Sequence, residues 1–246
     1  MTIIATYNIK GGVGKTSTAV NLAYLAAQGG YKTLIWDLDP QGASSYYFRV
    51  KPKVKGGSKA LIAGDRELDG LIKATDFENL DLLPADFSFR NLDIILDERK
   101  KPTQRLKKLL APLTKEYDFI FLDCPPNISL LSEAIFEASE LLLSPIIPTT
   151  LSLRTLEQLK KYLKDNKLKN LQLLPFFSMA DRRKKMHREI IESLAIQHPD
   201  ILQAIIPYAS DIERMGLERM PLGGYMKRSR STEAYQSLWA EILVLL

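Results

Sequence analysis

The residues best suited to chemistry lie in a glycine-rich turn at positions 10–17. The turn reads Lys-Gly-Gly-Val-Gly-Lys-Thr-Ser, between an apolar run at 2–7 and a segment at 14–28 with helically spaced apolar residues. Glycines let backbone N–H groups converge on phosphate oxygens without Cβ clashes, and the following helix adds its positive end. The pattern therefore predicts a phosphate-binding loop between a strand and a helix.

Two side chains of this loop have specific expected roles. Lys15 would lie against the β- and γ-phosphates of a nucleotide, and the Thr16 hydroxyl would ligate Mg²⁺. A glycine-rich turn without a ligand is the alternative interpretation, and the strand–turn–helix context argues against it. The positions expected to contact the nucleotide are Lys10, Gly11, Gly12, Val13, Gly14, Lys15, Thr16 and Ser17.

Aspartates follow two other apolar runs. Asp37 and Asp39 come after the run at 33–36, and Asp123 comes after the run at 119–122. Acidic residues at a strand end, followed by proline and glycine, suit a loop that reorders around Mg²⁺ and the γ-phosphate. An acidic residue after a fully apolar strand is typical of a residue that holds Mg²⁺ through a water. The alternative for the first pair is a simple cap on the next helix.

The order of the elements predicts the fold class. Apolar strand-like runs alternate with amphipathic helical segments, which favours a doubly wound, mostly parallel sheet with helices on both faces, in one domain over 1–246. Residues 50–70, rich in lysine and glycine, read as a surface excursion. The predicted strands are 2–7, 33–36, 80–83, 119–122, 141–147, 171–177 and 201–206. The predicted helices are 14–28, 102–116, 129–138, 153–167, 183–197 and 232–245.

Composition limits the functional classes. Of 246 residues, 46% are hydrophobic and 26% are charged, which is ordinary for a globular protein, and the net charge of +5 permits a nucleic-acid partner if the cations cluster. Cys124 is the only cysteine, so the sequence offers neither an internal disulfide nor a cysteine-based metal site. The low cysteine content favours the reducing cytoplasm.

Three motifs together resemble one known family. The loop at 10–17 has the form KGGxGK[TS], residues 37–42 read DLDPQG, and residues 123–126 read DCPP. These resemble the deviant Walker A loop, switch I and switch II of the ParA/MinD superfamily, and the chain is most similar to its short, Soj-like ParA members. The resemblance covers essentially the whole chain. It implies a slow, partner-stimulated ATPase that uses ATP and Mg²⁺.

The resemblance also implies roles for single residues. Lys10 would reach across a homodimer interface to the partner's nucleotide, as a cation placed against transition-state charge. Asp39 would lie near the attacking water and Mg²⁺, and Asp37 would support the loop lysine or the metal shell. Gln41 and Pro125 fall in the two switch segments. The implied hydrolytic residues are Lys10, Lys15 and Asp39, and the implied metal residues are Thr16, Asp39 and Asp123.

Two further regions leave questions open. Pro207 ends a predicted strand where relatives contact the adenine. At 149–152 the chain has TTLS, whereas many ParA proteins have a P-x-x-Y/F-x-A-L pattern, so the subfamily and the cargo stay open.

Two basic clusters precede or begin predicted helices near the end of the chain. Composition alone favours solvated helix faces for them. The resemblance implies DNA binding without sequence preference, a ParB-like or other adaptor protein, and association with the nucleoid in the ATP-bound state. The implied DNA-binding residues are Arg182, Arg183, Lys184, Lys185, Arg188, Lys227, Arg228 and Arg230.

Rival functions remain within the same superfamily. A MinD-like membrane ATPase would end in a basic amphipathic helix, but residues 239–246 contain no cation, so we expect that helix to pack on the body and no stable membrane association. Iron–sulfur relatives need at least two cluster cysteines per subunit, which a single cysteine argues against. A metabolic ATP-dependent enzyme on the same fold stays possible.

Overall fold

The computed structural model describes residues 1–63, 68–198 and 200–246. Within these ranges the strands form one eight-stranded sheet in the order β3-β4-β2-β5-β1-β6-β7-β8. Every neighbouring pair is parallel except β3–β4 at one edge. The mostly parallel sheet predicted from the sequence is confirmed. The strands are β1 (Thr2–Thr6), β2 (Thr33–Asp37), β3 (Lys73–Ala74), β4 (Leu80–Leu83), β5 (Phe119–Asp123), β6 (Leu141–Ile146), β7 (Gln172–Ala180) and β8 (Ile205–Pro207).

Helices cover both faces of the sheet, which explains why the central strands β2 and β5 are buried at every position. On one face the first and last helices pack together, and on the other several shorter helices form a second core. The helices are α1 (Lys15–Gln28), α2 (Ala43–Tyr47), α3 (Gly57–Ala63), α4 (Leu92–Asp97), α5 (Arg105–Leu110), α6 (Leu130–Ala138), α7 (Thr150–Asp165), α8 (Lys185–Gln197), α9 (Ser210–Glu213), α10 (Met215–Glu218), α11 (Leu222–Tyr225) and α12 (Arg230–Val244).

Local chemistry explains where the predicted helix boundaries shift. The helix predicted over 102–116 is a six-residue α-helix between two 3₁₀ turns, because Pro112 has no backbone N–H to continue the ladder. Helix α7 begins three residues earlier than predicted, because the Thr149 side chain accepts a hydrogen bond from the Ser152 N–H and caps it. The short helices α2, α3, α4, α9, α10 and α11 were not predicted, since they are too brief to show a helical period.

The end of the sheet nearest β8 also differs from prediction. Strand β7 is longer than predicted and β8 is shorter, and their register shifts between Phe177 and Ala180. Within that irregularity Met179 has a φ of 52°, in the left-handed region that non-glycine residues seldom adopt. The bulge turns this part of β7 towards the phosphate loop.

The prediction that 50–70 is only a surface excursion is wrong for the part that the structure describes. Helix α3 lies in this segment, and Val54, Leu61 and Ile62 are buried in the core that also contains α4 and α5. The segment contains few apolar residues among its lysines and glycines, so the sequence offered little indication that some of them are buried. Positions 64–67 of the segment lie outside the described residues.

The last helix packs on the body, as expected. Leu238, Trp239 and Ile242 of α12 are buried, and the Trp239 ring meets Phe119 edge-on at 5.2 Å between centroids. None of the helices in the described ranges is both long and apolar enough to cross a membrane.

The burial of α3 yields a stability test. Leu61 is 1% exposed, so Leu61→Ala should lower the free energy of unfolding by about 2–4 kcal/mol through lost transfer energy and a cavity. Ile94→Ala on α4, where the side chain is 65% exposed, is the matched control and should change it by less than about 0.5 kcal/mol. Urea denaturation measures both, and equal effects would mean that α3 does not pack as described.

Candidate nucleotide site

Parallel register brings the phosphate loop and the aspartates to one edge of the sheet. Strand β5 lies between β1 and β2, and Asp123 is level with Thr6 on one side and Asp37 on the other. The loop leaves β1 at this level and enters α1 at Lys15. The residues predicted to bind phosphate and metal are therefore neighbours in space.

The loop conformation depends on two of its glycines. Gly12 and Gly14 have φ values of 70° and 94°, in the region that favours glycine. A Cβ on Gly14 would lie 2.8 Å from the Ser178 Oγ of β7, closer than real Cβ contacts. Ser178 was not predicted, because its closeness to the loop arises only in three dimensions. Together the two glycines leave an open cradle of backbone at the start of α1.

Lys15 is buried inside this cradle. Its Nζ donates a hydrogen bond to the backbone carbonyl of Lys10 at 3.1 Å, so the loop closes on itself. Burial lowers the pKa of Lys15, and the nearby Asp123 carboxylate works in the opposite direction. A phosphate oxygen is a stronger acceptor than a carbonyl, so a bound nucleotide can replace this contact.

Lys10 lies at the mouth of the same loop. Its backbone N–H donates to the Asn8 side chain at 2.9 Å, which fixes the turn. The Lys10 side chain is partly exposed and forms no ion pair with any described residue. The loop thus carries a second lysine that is more exposed than Lys15.

Asp123 is held by hydroxyl groups. The Thr16 hydroxyl donates to one carboxylate oxygen at 3.2 Å, and the Ser44 hydroxyl donates to the other at 2.7 Å. Burial raises the pKa of Asp123 to about 6, although both hydrogen bonds favour the charged form. Sequence reasoning missed Ser44, since a serine after a switch-like loop has no distinguishing pattern.

Asp37 lies beside it with one oxygen satisfied. Its Oδ2 accepts from both the backbone N–H and the hydroxyl of Ser45, each at 2.7 Å. Its Oδ1 has no hydrogen-bond partner in the described part of the chain. Burial and then the neighbouring Asp123 charge raise the pKa of Asp37 to about 8. The first Asp of the predicted switch loop is therefore a core residue, and it also accepts a first-turn N–H of α2, as the helix-cap alternative expected.

The other predicted switch residues surround this pair more loosely. Asp39 is partly exposed, its carboxylate accepts from the Gln41 N–H at 2.9 Å, and its charge contributes to the raised pKa of Asp123. Gln41 is exposed and Pro125 is partly buried after β5. Asp39 and Gln41 are thus tied to their own loop.

The groups present fit a magnesium nucleotide better than a free metal. Among the described residues, no cluster of three or more His, Cys, Asp or Glu side chains could hold a metal by itself. The oxygens of Thr16, Asp39 and Asp123, with the unpartnered Oδ1 of Asp37 behind them, are the donors that Mg²⁺ prefers, and Mg²⁺ usually completes its shell with phosphates and water. The backbone N–H groups of the loop are suited to the phosphates of such a ligand.

A cavity of about 260 Å³ continues from the loop. Pro207, predicted to lie near the adenine, is among its lining residues, which come from six helices and strands and two loops. Most of its apolar wall was missed, because the contributing residues are far apart in sequence. The wall includes Tyr47, Met179, Ile206, Tyr208, Ile212 and Tyr235.

The two predicted basic clusters meet at a groove of about 660 Å³ that adjoins this cavity along residues 207–209. Arg182, Arg183 and Arg230 line it, with carboxylates that include Asp181 and Glu213. The members of both clusters are at least partly exposed, as predicted: Arg182, Arg183, Lys184, Lys185, Arg188, Lys227, Arg228 and Arg230.

The basic residues differ in their partners. The Arg183 guanidinium donates to both oxygens of Asp181 at 2.9 Å, and Lys185 pairs with Glu189 at 3.5 Å. Arg182 and Lys184 form no ion pair with any described side chain. The unpaired cations are therefore those most available to an external anion.

Comparison with known proteins identifies the family. A family model described as an AAA domain matches residues 1–174. The sporulation initiation inhibitor protein Soj of Bacillus subtilis is 32% identical over 98% of this chain and 97% of its own length. This chain belongs to the ParA/MinD superfamily of ATPases.

Solved structures of ParA/MinD-like proteins share the fold. A cobyrinic acid a,c-diamide synthase from Mycobacterium smegmatis, solved with ADP and magnesium, matches with a TM-score of 0.81 and 25% identity over 99% of this chain and 94% of that one. A putative plasmid partition protein from Borrelia burgdorferi, solved with AMPPNP, matches with a TM-score of 0.85 over 100% and 99% of the chains, but at 22% identity it shows the fold alone. This ParA-family chain therefore shares its fold with proteins that have been solved with bound nucleotides.

The two buried carboxylates make the stability of the nucleotide-free ATPase depend on pH. Because the folded pKa values are raised to about 8 for Asp37 and about 6 for Asp123, the folded state keeps protons that the unfolded chain releases. The free energy of unfolding should therefore fall as pH rises from about 5 to about 8, by a few kcal/mol. Urea denaturation at several pH values measures this fall.

Asp37→Asn should flatten the profile, because the variant has no proton to lose at that site. Asp97→Asn, an exposed carboxylate on α4, is the control and should keep the wild-type slope. A profile for Asp37→Asn that runs parallel to the wild-type profile would contradict the assignment.

Proposed function

We propose that this ATPase, in a single domain, binds ATP with Mg²⁺ and hydrolyses it slowly. In its ATP-bound form it dimerises, binds DNA without sequence preference and positions a cargo through an adaptor protein. The single observation that supports this best is the pair of loop lysines, of which Lys15 is buried in the phosphate cradle and Lys10 is partly exposed without an ion-pair partner among the described residues.

The chain's own groups define the hydrolytic chemistry. Mg²⁺ would neutralise charge on the phosphates, held by Thr16 and through water by Asp123. Lys15 would exchange its carbonyl partner for phosphate oxygen. Asp39, partly exposed on a loop tied by Gln41, would orient the attacking water, since a carboxylate is better suited to positioning than to full proton abstraction. Turnover by one copy of the chain would be slow, because the site needs a cation from a second copy to stabilise the charge that develops in the transition state.

A second copy of the chain would complete it. Lys10 would supply a cation in trans, placed where transition-state charge develops. Exposed apolar side chains follow the carboxyl ends of three strands at this same edge: Phe87 is 65%, Ile128 45% and Leu151 64% exposed. Large exposed apolar side chains around the charged opening of the nucleotide site are typical of a surface that a partner protein covers.

The groove where the basic clusters meet supports DNA as the polyanion. Binding without sequence preference needs only cations that face phosphates. Arg182, which forms no ion pair with a described side chain, lines the groove with Arg230, and the exposed, likewise unpaired Lys184 lies two residues further along the chain. The relative Soj is named for sporulation and other relatives for chromosome partitioning, which supports positioning on the nucleoid with an adaptor. The TTLS segment at 149–152 forms the capped start of α7. A helix cap does not distinguish one cargo from another, and the proposal names none.

The two lysines should separate binding from turnover. Lys15→Ala should weaken ATP binding about tenfold or more, because it removes a buried charge-assisted hydrogen bond to phosphate. Lys10→Ala should leave ATP affinity within about threefold, yet lower turnover about tenfold or more by removing the trans cation. Calorimetry measures the ATP affinity of each variant, and release of inorganic phosphate measures its turnover. Sedimentation velocity with ATP measures the fraction of dimer.

The contrast between two lysines of one loop serves as the control. Wild-type turnover and wild-type dimerisation in Lys10→Ala would exclude the trans role. Absence of ATP uptake by the unaltered protein with Mg²⁺ would overturn the proposed function as a whole.

The unpaired cations should matter most for DNA. Arg182→Ala with Lys184→Ala should weaken DNA binding and reduce the slope of log affinity against log salt by about one for each phosphate that is no longer neutralised. Arg183 and Lys185 are poorer targets, since each already has a carboxylate partner. Fluorescence anisotropy of a labelled duplex, with ATP and at several salt concentrations, measures both quantities.

Lys107→Ala with Lys108→Ala removes two exposed cations from α5 and is the matched control. It should retain the wild-type slope. Equal reductions in the two double variants would indicate a diffuse charge effect and would contradict a defined DNA face.

A further inference from the structure

Helix α2, directly after the predicted switch loop, contacts two halves of the site. Its Ser44 donates to Asp123 and its Ser45 to Asp37, at the metal end. Its last residue, Tyr47, lies in the wall of the cavity of about 260 Å³ that continues from the phosphate loop. One five-residue helix therefore joins the carboxylates to the cavity.

Tyr47 contacts the phosphate loop as well as the cavity. Its ring is partly buried, and Gly12, Gly14 and Ser17 line the same space. Burial raises the pKa of Tyr47, while its polar contact with the Ser17 side chain acts in the opposite direction. The hydroxyl thus faces the last residue of the 10–17 loop.

Other aromatic residues lie near this position. The side chains of Tyr225 and Tyr235 lie close enough to Tyr47 for electrostatic interaction. Tyr235 is fully buried against Thr18 and Asn21 of α1. The ring of Tyr47 is therefore one wall of a preformed space that opens towards the phosphate cradle.

We propose that Tyr47 is a nucleotide-binding residue, whose ring forms one wall for the nucleoside next to the phosphate loop. This inference rests on the proposed ATP-binding function. The nucleoside half of a ligand would contact Tyr47 directly, and the same contact would fix α2 and with it Ser44 at the magnesium carboxylate. An aromatic wall with few polar groups is the usual lining of a site for a flat heterocycle.

Ligands that contain or lack the nucleoside test this role. Calorimetry with Mg²⁺ would compare ATP, ADP and inorganic tripolyphosphate on the full chain. Tyr47→Ala should weaken ATP and ADP alike, about tenfold or more, because the ring no longer packs against the nucleoside of either ligand. Its affinity for tripolyphosphate should stay within about twofold, since the phosphate cradle is retained.

Tyr47→Leu keeps much of the side-chain bulk and removes the flat ring. It should weaken ATP and ADP, by less than Tyr47→Ala does, and leave the affinity for tripolyphosphate within about twofold of the wild type. This variant also keeps the test valid if Tyr47→Ala does not fold, which thermal unfolding of the nucleotide-free proteins would reveal.

The adjacent tyrosine offers a matched control. Tyr46 is 48% exposed, lies outside the cavity, and has the Arg219 guanidinium 4.5 Å above its ring. Tyr46→Ala should bind all three ligands as the wild type does.

Three results would overturn the inference. Wild-type ATP affinity in both Tyr47 variants would do so, as would an equal weakening of tripolyphosphate binding, which would place the effect in the phosphate loop. An equal effect of Tyr46→Ala would mean that α2 acts only as structural support. In each case the wild type would still bind ATP; failure of the wild type to bind would instead overturn the proposed function on which the inference rests.

Discussion

The side chains of Asp37 and Asp123 leave adjacent parallel strands at the same level and are buried against each other. Two carboxylates cannot both stay charged there without compensation, so each recruits hydroxyl or amide donors, and the pKa of each still rises. Ser44 and Ser45 supply much of that compensation, which requires α2 to begin where it does. The position of the switch segment thus follows from the need to satisfy two buried acids.

The phosphate loop is arranged by a similar need. Lys15 is a buried cation, and in the structure it binds a carbonyl of its own loop instead of an anion. Gly14 must be glycine because Ser178 of β7 occupies the space of a side chain. The loop is therefore preorganised by the sheet on one side and by its own lysine on the other, which lowers the ordering cost of binding a ligand.

The sequence alone predicted the parallel sheet, the loop and its aspartates, because each depends on local spacing. The match of Gly14 to Ser178, the hydroxyls on Asp123 and the Tyr47 wall were not predictable. They arise where residues distant in sequence meet, and nothing in their own neighbourhoods marks them. The short helices around 43–63 were missed for a related reason, since five to seven residues cannot display a helical period. The roles inferred for Lys10, Asp39 and the basic clusters stay predictions.

The outer strands of the sheet have a consequence for self-association. Strand β3 is two residues long, antiparallel and exposed, with Lys73 at the edge, and β8 at the opposite side is three residues long. Short or charged border strands give another chain little backbone to pair with, which discourages open-ended fibrous growth. Any association between copies of this chain is thereby steered towards contacts through side chains, which can separate without breaking a row of backbone hydrogen bonds.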